Sequence, residues 1–110
     1  LVGAVSFGLS PAEGGSIDAI ESKTYIRLHY SLKQAKCLIT LYGKESAFNK
    51  DAIGNDSGSS KAYGIPQLKS EFIKDLSANK QIDYGMKYIT HRYKGQPCLA
   101  WAHSKKHGWY

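Results

Sequence analysis

"GKESAFNKDAIGNDSGSSKAYGIPQ", residues 43–67, joins two kinds of sequence. Just before and into it, Cys37, Leu38, Leu41 and Tyr42 follow the three-four spacing of a buried helical stripe. That spacing predicts a helix over Gln34–Ser46. One glutamate, Glu45, falls where the helix should end. A negative side chain there opposes the helix dipole, by a few tenths to about 1 kcal/mol. Such local conflicts concentrate at functional sites, although a solvated helix-end glutamate is the plainer reading of the spacing alone. From Ala47 to Lys61 the chain turns to Asn, Asp, Gly and Ser, which predicts an irregular loop with room for a short hairpin.

Working outward, residues 1–15 read as a flexible tail broken by "SPAEGGS". Ser16 offers an N-cap to a helix reaching Leu32, with Ile17, Ile20, Tyr25 or Ile26, Leu28 and Leu32 on its apolar side. Downstream, Pro66 suits the first turn of a helix carrying Leu68, Phe72, Ile73 and Leu76. Ser77 or Asn79 then caps a helix over Lys80–Tyr93, with Ile82, Met86 and Ile89 on one face. Gly95 ends it, and Pro97 restarts a last short helix over Leu99–Lys106. The expected fold is mainly α in one domain over 16–110. It has four to five short helices around a cleft with one irregular loop or small hairpin.

The chain has 110 residues, enough for one domain with a real core. Fifteen Lys and Arg against nine Asp and Glu leave a net charge of +6, which favours an anionic partner. The basic residues are scattered, and Lys105-Lys106 is the only adjacent pair, so a nucleic-acid role is not expected. No apolar run approaches the roughly 20 residues of a membrane span, so no membrane insertion is expected.

No motif points to a cofactor. His103 and His107 are four apart but lack the glutamate that follows the first histidine in the metalloprotease pattern, so no metal is expected. Cys37 and Cys98 have no metal-ligand spacing, which leaves two buried thiols or one disulfide. Tyrosine is frequent, at 8 of 110, and aromatics gather late at Tyr84, Tyr88, Tyr93, Trp101, Trp109 and Tyr110. Core packing is the simplest use of these rings, Tyr88 in particular. Rings with polar tips also suit sugars, which present apolar C–H faces and hydroxyl edges.

Four blocks in order, "KESAFN", "YGIPQ", "YITHRY" and "AWAHS", resemble those of lytic transglycosylase domains of the lysozyme-like superfamily. The likeness covers about residues 28–110 and is nearest to short secreted domains of actinobacteria and their phages. It implies a lysozyme-like fold and cleavage of peptidoglycan glycan strands by a single acid/base, with Glu45 in that role. It implies Ser46 as the partner of Glu45 on the helix. Gln67 and Tyr63 would face the glycan, as would Tyr88 in the helical Tyr-Ile segment and Trp101 in the final block. Trp101 and Ala102 stand where the family usually has tyrosine and asparagine, which leaves the hydrogen bonding of that block open. The resemblance also implies a Cys37–Cys98 disulfide, hence an oxidising setting: secreted, wall-associated or in a phage virion. A monomer is expected. The competing readings are a hydrolytic muramidase, with Asp51 or Asp56 as second carboxylate, and a wall-binding module without turnover.

Overall fold

In a computed structural model, residues 17–55 and 60–110 are described. The expected tail, the Ser16 cap and Asp56 lie outside them. Four α-helices dominate: α1 (Ile17–His29), α2 (Leu32–Ser46), α3 (Ala78–Tyr93) and α4 (Pro97–His107). Between α2 and α3 lie β1 (Ile53–Gly54) and β2 (Ala62–Tyr63), paired antiparallel with Ile53 opposite Tyr63, and a short 3₁₀ turn at Glu71–Asp75. The mainly helical class and the small hairpin match the sequence reading. No helix among the described residues is long and apolar enough to cross a membrane.

Local chemistry sets the helix boundaries. The side chain of Ser31 accepts from the Gln34 amide, and that of Ser77 from the Lys80 amide, each at 3.4 Å, so both serines cap a free helix N-terminus. Leu32 therefore opens α2 instead of closing α1. At α4, Pro97 supplies the preset φ of a first helical residue. Gln96 makes no side-chain cap there, and Gln34 Oε1 on α2 accepts from the Cys98 amide at 2.8 Å instead.

Leu38, Leu41 and Tyr42 of α2, Ile82 and Ile89 of α3, Ile26 of α1 and Ile65 of the intervening loop are fully buried in one cluster. The stripes expected for α2 and α3 are thus the ones used. Of the face expected for α1, only the Tyr25/Ile26 position is used, with Ile26 fully buried. Ile17, Ile20 and Leu28, like Leu32 at the start of α2, are more than half exposed, and α1 buries Ala19, Ser22 and Ile26. Those three also follow the three-four spacing, and their small side chains at Ala19 and Ser22 let the helix lie close to its neighbours.

A second correction concerns Pro66, which opens no helix. Gln67 takes a left-handed φ of 53°, and Tyr63 and Leu68 bond back to each other in both directions, at 2.8 and 3.1 Å. The tight turn over residues 64–67 replaces the predicted helical turn, and only the 3₁₀ turn follows it.

Helices α2 and α4 are fastened along their length. Cys37 and Cys98 form a disulfide, with Cα atoms 5.0 Å apart. Toward the other end, Lys44 Nζ donates to Ser104 Oγ at 3.0 Å and to its carbonyl at 3.4 Å. The disulfide closes a loop with a sequence separation of 61, for which chain entropy gives about 4 kcal/mol of stabilisation. This framework fixes the end of α2, where Glu45 stands.

Candidate active site

Helix α2 ends without glycine. Ala47 and Phe48 both adopt left-handed backbone, with φ of 52° and 58°. Each such step costs a non-glycine residue about 1–2 kcal/mol. Packing holds it in place: Phe48 is buried, edge-on to Tyr42 at 6.4 Å, with the Lys23 ammonium 5.3 Å from its ring centre. The chain therefore leaves the helix axis immediately after Glu45 and Ser46.

Glu45 is half-buried and lines a cavity of about 780 Å³. Among the described residues its carboxylate makes no hydrogen bond or ion pair, and no other carboxylate lines the cavity. Burial raises its pKa, opposed by the charge of Lys44. The C-terminal end of α2 acts in the same direction as burial, because its free carbonyls disfavour a negative neighbour. The surroundings thus shift an unengaged carboxyl group at an open cavity toward its protonated form, the direction that a general acid requires.

Another side of the cavity comes from the loop, which two glutamines hold in place. Gln81 of α3 is fully buried. Its Oε1 accepts from the Ile65 amide at 2.8 Å, and its Nε2 donates to the carbonyls of Lys50, Ile73 and Leu76 at 2.9, 3.0 and 3.3 Å. One side chain therefore ties the segments on both sides of the hairpin to α3. Gly64 makes this approach feasible: its φ is +74°, and a Cβ there would lie 2.4 Å from Gln81 Oε1. Gln67 lines the cavity, and its Nε2 donates to the carbonyls of Gly64 and Ala52 at 3.0 and 3.3 Å. Gln67 therefore holds the turn together as well as facing the cavity.

The third side is aromatic. Tyr88 of α3, Trp109 and Tyr110 line the cavity. Tyr110 is buried, its ring edge-on to Tyr88 at 5.3 Å and 6.2 Å from that of Tyr42. Its hydroxyl donates to the Pro66 carbonyl, and its own main-chain oxygen accepts from the hydroxyls of Tyr88 and Tyr93 at 2.6 and 2.7 Å. Burial pushes the Tyr110 phenol well above its usual pKa, so it stays neutral.

Of the residues singled out in the sequence, Glu45, Gln67 and Tyr88 meet at this cavity. Ser46, Tyr63 and Trp101 do not line it. Ser46 Oγ donates to the Ile65 carbonyl at 2.8 Å, which makes it a tie between α2 and the loop. Tyr63 is half-buried in β2, and Trp101 lies on α4 between the ammonium groups of Lys105 and Lys44, at 5.4 and 5.8 Å. Asp51 is exposed and paired with Lys50 at 3.4 Å, and its amide donates to Asn49 Oδ1, as turn residues do. The His103 and His107 rings lie 4.4 Å apart, tilted by 39°, and no group of three or more metal-ligating side chains occurs among the described residues. Gln81 was not singled out. Its position between Ala78 and Gly85 on the inward face of α3 is the signal that marks it.

A second cavity of about 730 Å³, lined by α3 and by His29 of α1, has Asp83 as its one acid among the described residues, and that carboxylate already accepts the Tyr25 hydroxyl. Of these two cavities, that of Glu45 has the unengaged acid among the described residues. No protein-family model, curated protein or solved structure matches the chain.

Proposed function

We propose that this chain is a peptidoglycan lytic transglycosylase of lysozyme-like architecture, cleaving between N-acetylmuramic acid and N-acetylglucosamine. The observation that carries this reading is the half-buried, unengaged Glu45, the one carboxylate side chain among the described residues that lines a cavity shared with aromatic rings and amides. The ordered blocks around Glu45, Gln67 and Tyr88 support the same reading. Most glycosidases use two carboxylates, whereas a substrate that supplies its own nucleophile needs only one from the protein.

In the proposed reaction Glu45 gives its proton to the glycosidic oxygen as the bond to muramic acid C1 breaks. The sugar's N-acetyl oxygen stabilises the cationic C1. The carboxylate then takes the proton of the muramic acid 6-hydroxyl as O6 bonds to C1. The products are an N-acetylglucosamine-ended fragment and a 1,6-anhydro end, and Glu45 is protonated again. Gln67 and Tyr88 bound the sugar beside the acid, while Ser46 positions the loop. The net charge of +6 suits an anionic wall, and the disulfide suits an oxidising, extracellular setting.

Mass analysis of fragments released from purified peptidoglycan tests the proposal. Anhydro ends, lighter by one water than reducing ends, are the expected product. Chiefly hydrated ends identify a hydrolytic muramidase instead, and tight binding without release identifies a wall-binding module.

A further inference from the structure

Trp109 combines exposure with fixed placement. Its side chain is 52% exposed and lines the Glu45 cavity. On one side of it Gly108 ends α4 in left-handed backbone at φ 82°, its amide bonded to the Ser104 carbonyl at 2.8 Å. On the other side Tyr110 is held by hydrogen bonds to Pro66, Tyr88 and Tyr93. The Trp109 carbonyl itself receives a hydrogen bond from His103 Nδ1 at 2.8 Å. A carbonyl only accepts, so Nδ1 carries the proton. The indole is braced too: the His103 ring stands edge-on at 4.4 Å, and the Arg92 guanidinium carbon lies 4.8 Å from the ring centre.

An exposed indole normally loses side-chain freedom on binding a ligand, and that loss weakens the complex. Here the backbone on both sides, the carbonyl and the ring are already held. A large, flat, pre-placed apolar surface beside an acid matches the C–H face of a pyranose ring, whose hydroxyl edge reaches the polar groups around it. We propose that Trp109 is the stacking platform for a sugar ring of the glycan next to the bond that Glu45 attacks. This rests on the glycan-cleaving reading above. His103 and Arg92 then act as positioning residues that set the indole plane.

The test uses the full chain carrying Glu45→Gln, so that bound glycan is not turned over. A soluble tetrasaccharide of alternating N-acetylglucosamine and N-acetylmuramic acid is titrated in, and the amide and indole N–H resonances are followed. The chain has two tryptophans, so two indole signals are expected, and Trp109→Phe assigns them. The Trp109 indole should shift saturably, and Trp109→Ala should weaken binding about tenfold or more. Trp109→Phe, which keeps a planar face, should lose less. Should the alanine variant lose its dispersed spectrum, Trp109→Leu replaces it, since leucine keeps apolar bulk without the plane and should bind as weakly. Saturable shifts around Glu45, Gln67 and Tyr88 with an unmoved Trp109 indole and full affinity in the alanine variant overturn this inference and leave the glycan reading intact. No shift of any resonance overturns both.

Discussion

Ser46 Oγ donates to the carbonyl oxygen of Ile65 across 2.8 Å, joining the last turn of α2 to the loop that faces Glu45. The same hydroxyl lies 3.3 Å from the Tyr42 carbonyl one turn back. Ser46→Ala removes the link and leaves a buried residue's carbonyl short of a partner. The expected cost is about 1 kcal/mol, read as a Tm drop of roughly 4–8 °C. Release of wall fragments should fall about tenfold even well below Tm, because small displacements of a catalytic wall are expensive in rate. Thermal denaturation alongside fragment release separates the two effects.

Gly85 of α3 and Tyr42 of α2 make a tighter contact. A Cβ on Gly85 would lie 2.2 Å from the Tyr42 hydroxyl and 3.0 Å from Pro66 Cβ. The Tyr42 hydroxyl is fully buried; it makes no hydrogen bond of good geometry among the described residues, but it interacts with the Tyr110 phenol. Gly85→Ala should therefore destabilise by about 1–3 kcal/mol through overpacking. Tyr42→Phe alone should be near neutral, since it removes a poorly satisfied buried hydroxyl and the Tyr110 phenol beside it keeps its bond to the Pro66 carbonyl. In the double variant the phenylalanine should recover much of the alanine penalty. Urea midpoints of the four proteins measure that coupling, and strict additivity would count against the contact.

How far the sequence reached depends on the kind of signal. The inward faces of α2 and α3 were legible because Leu38, Leu41 and Tyr42, and Ile82 and Ile89, repeat at helical spacing with bulky side chains. The α1 face is only partly legible because Ile17, Ile20 and Leu28 point outward, and beside the expected Ile26 the buried residues are Ala19 and Ser22, which carry little hydrophobic signal. The turn after Gly64 is not legible because Pro66 fits a helix start by local preference, whereas the Tyr63–Leu68 backbone pair and the side-chain bonds of Gln67 and Gln81 impose the alternative. Glu45 stood out as a carboxylate at the wrong end of a helix. That its charge lacks a partner, and that Tyr110 closes the wall beside it, depends on contacts between residues far apart in the chain, which no local pattern encodes.

The Cys37–Cys98 bond predicts a stability effect separable from geometry. Gln34 and Lys44 also bind α2 to α4, at Cys98 and Ser104, so the native arrangement has other fasteners. Reduction, or the paired Cys37→Ser and Cys98→Ser change, should leave the fold recognisable at low temperature while removing about 4 kcal/mol. Urea unfolding with and without reductant gives the difference. An unchanged midpoint would show that the bond adds nothing to stability.

Glu45 links stability and activity through one proton. Burial raises its folded pKa above the unfolded value. A carboxyl group shifted upward contributes stability that is fully present below the unfolded pKa and is lost as pH rises through the folded pKa. Glutamine keeps the shape without the charge. The Tm of Glu45→Gln should match the parent near pH 4 and exceed it near pH 7.5. The gain should be a few degrees at most, since the half-exposed carboxylate is partly solvated. Activity should move the other way: loss of the transferable proton should lower fragment release about a hundredfold or more. In the parent, release should decline as pH rises through the same raised pKa, because only the protonated form can start the reaction. Asp51→Asn, at an exposed turn paired with Lys50, should alter neither the Tm difference nor the pH profile. A Glu45→Gln protein that is less stable than the parent at neutral pH would mean that the carboxylate is held by a favourable charge partner, and the assignment of Glu45 as a poised acid would fall.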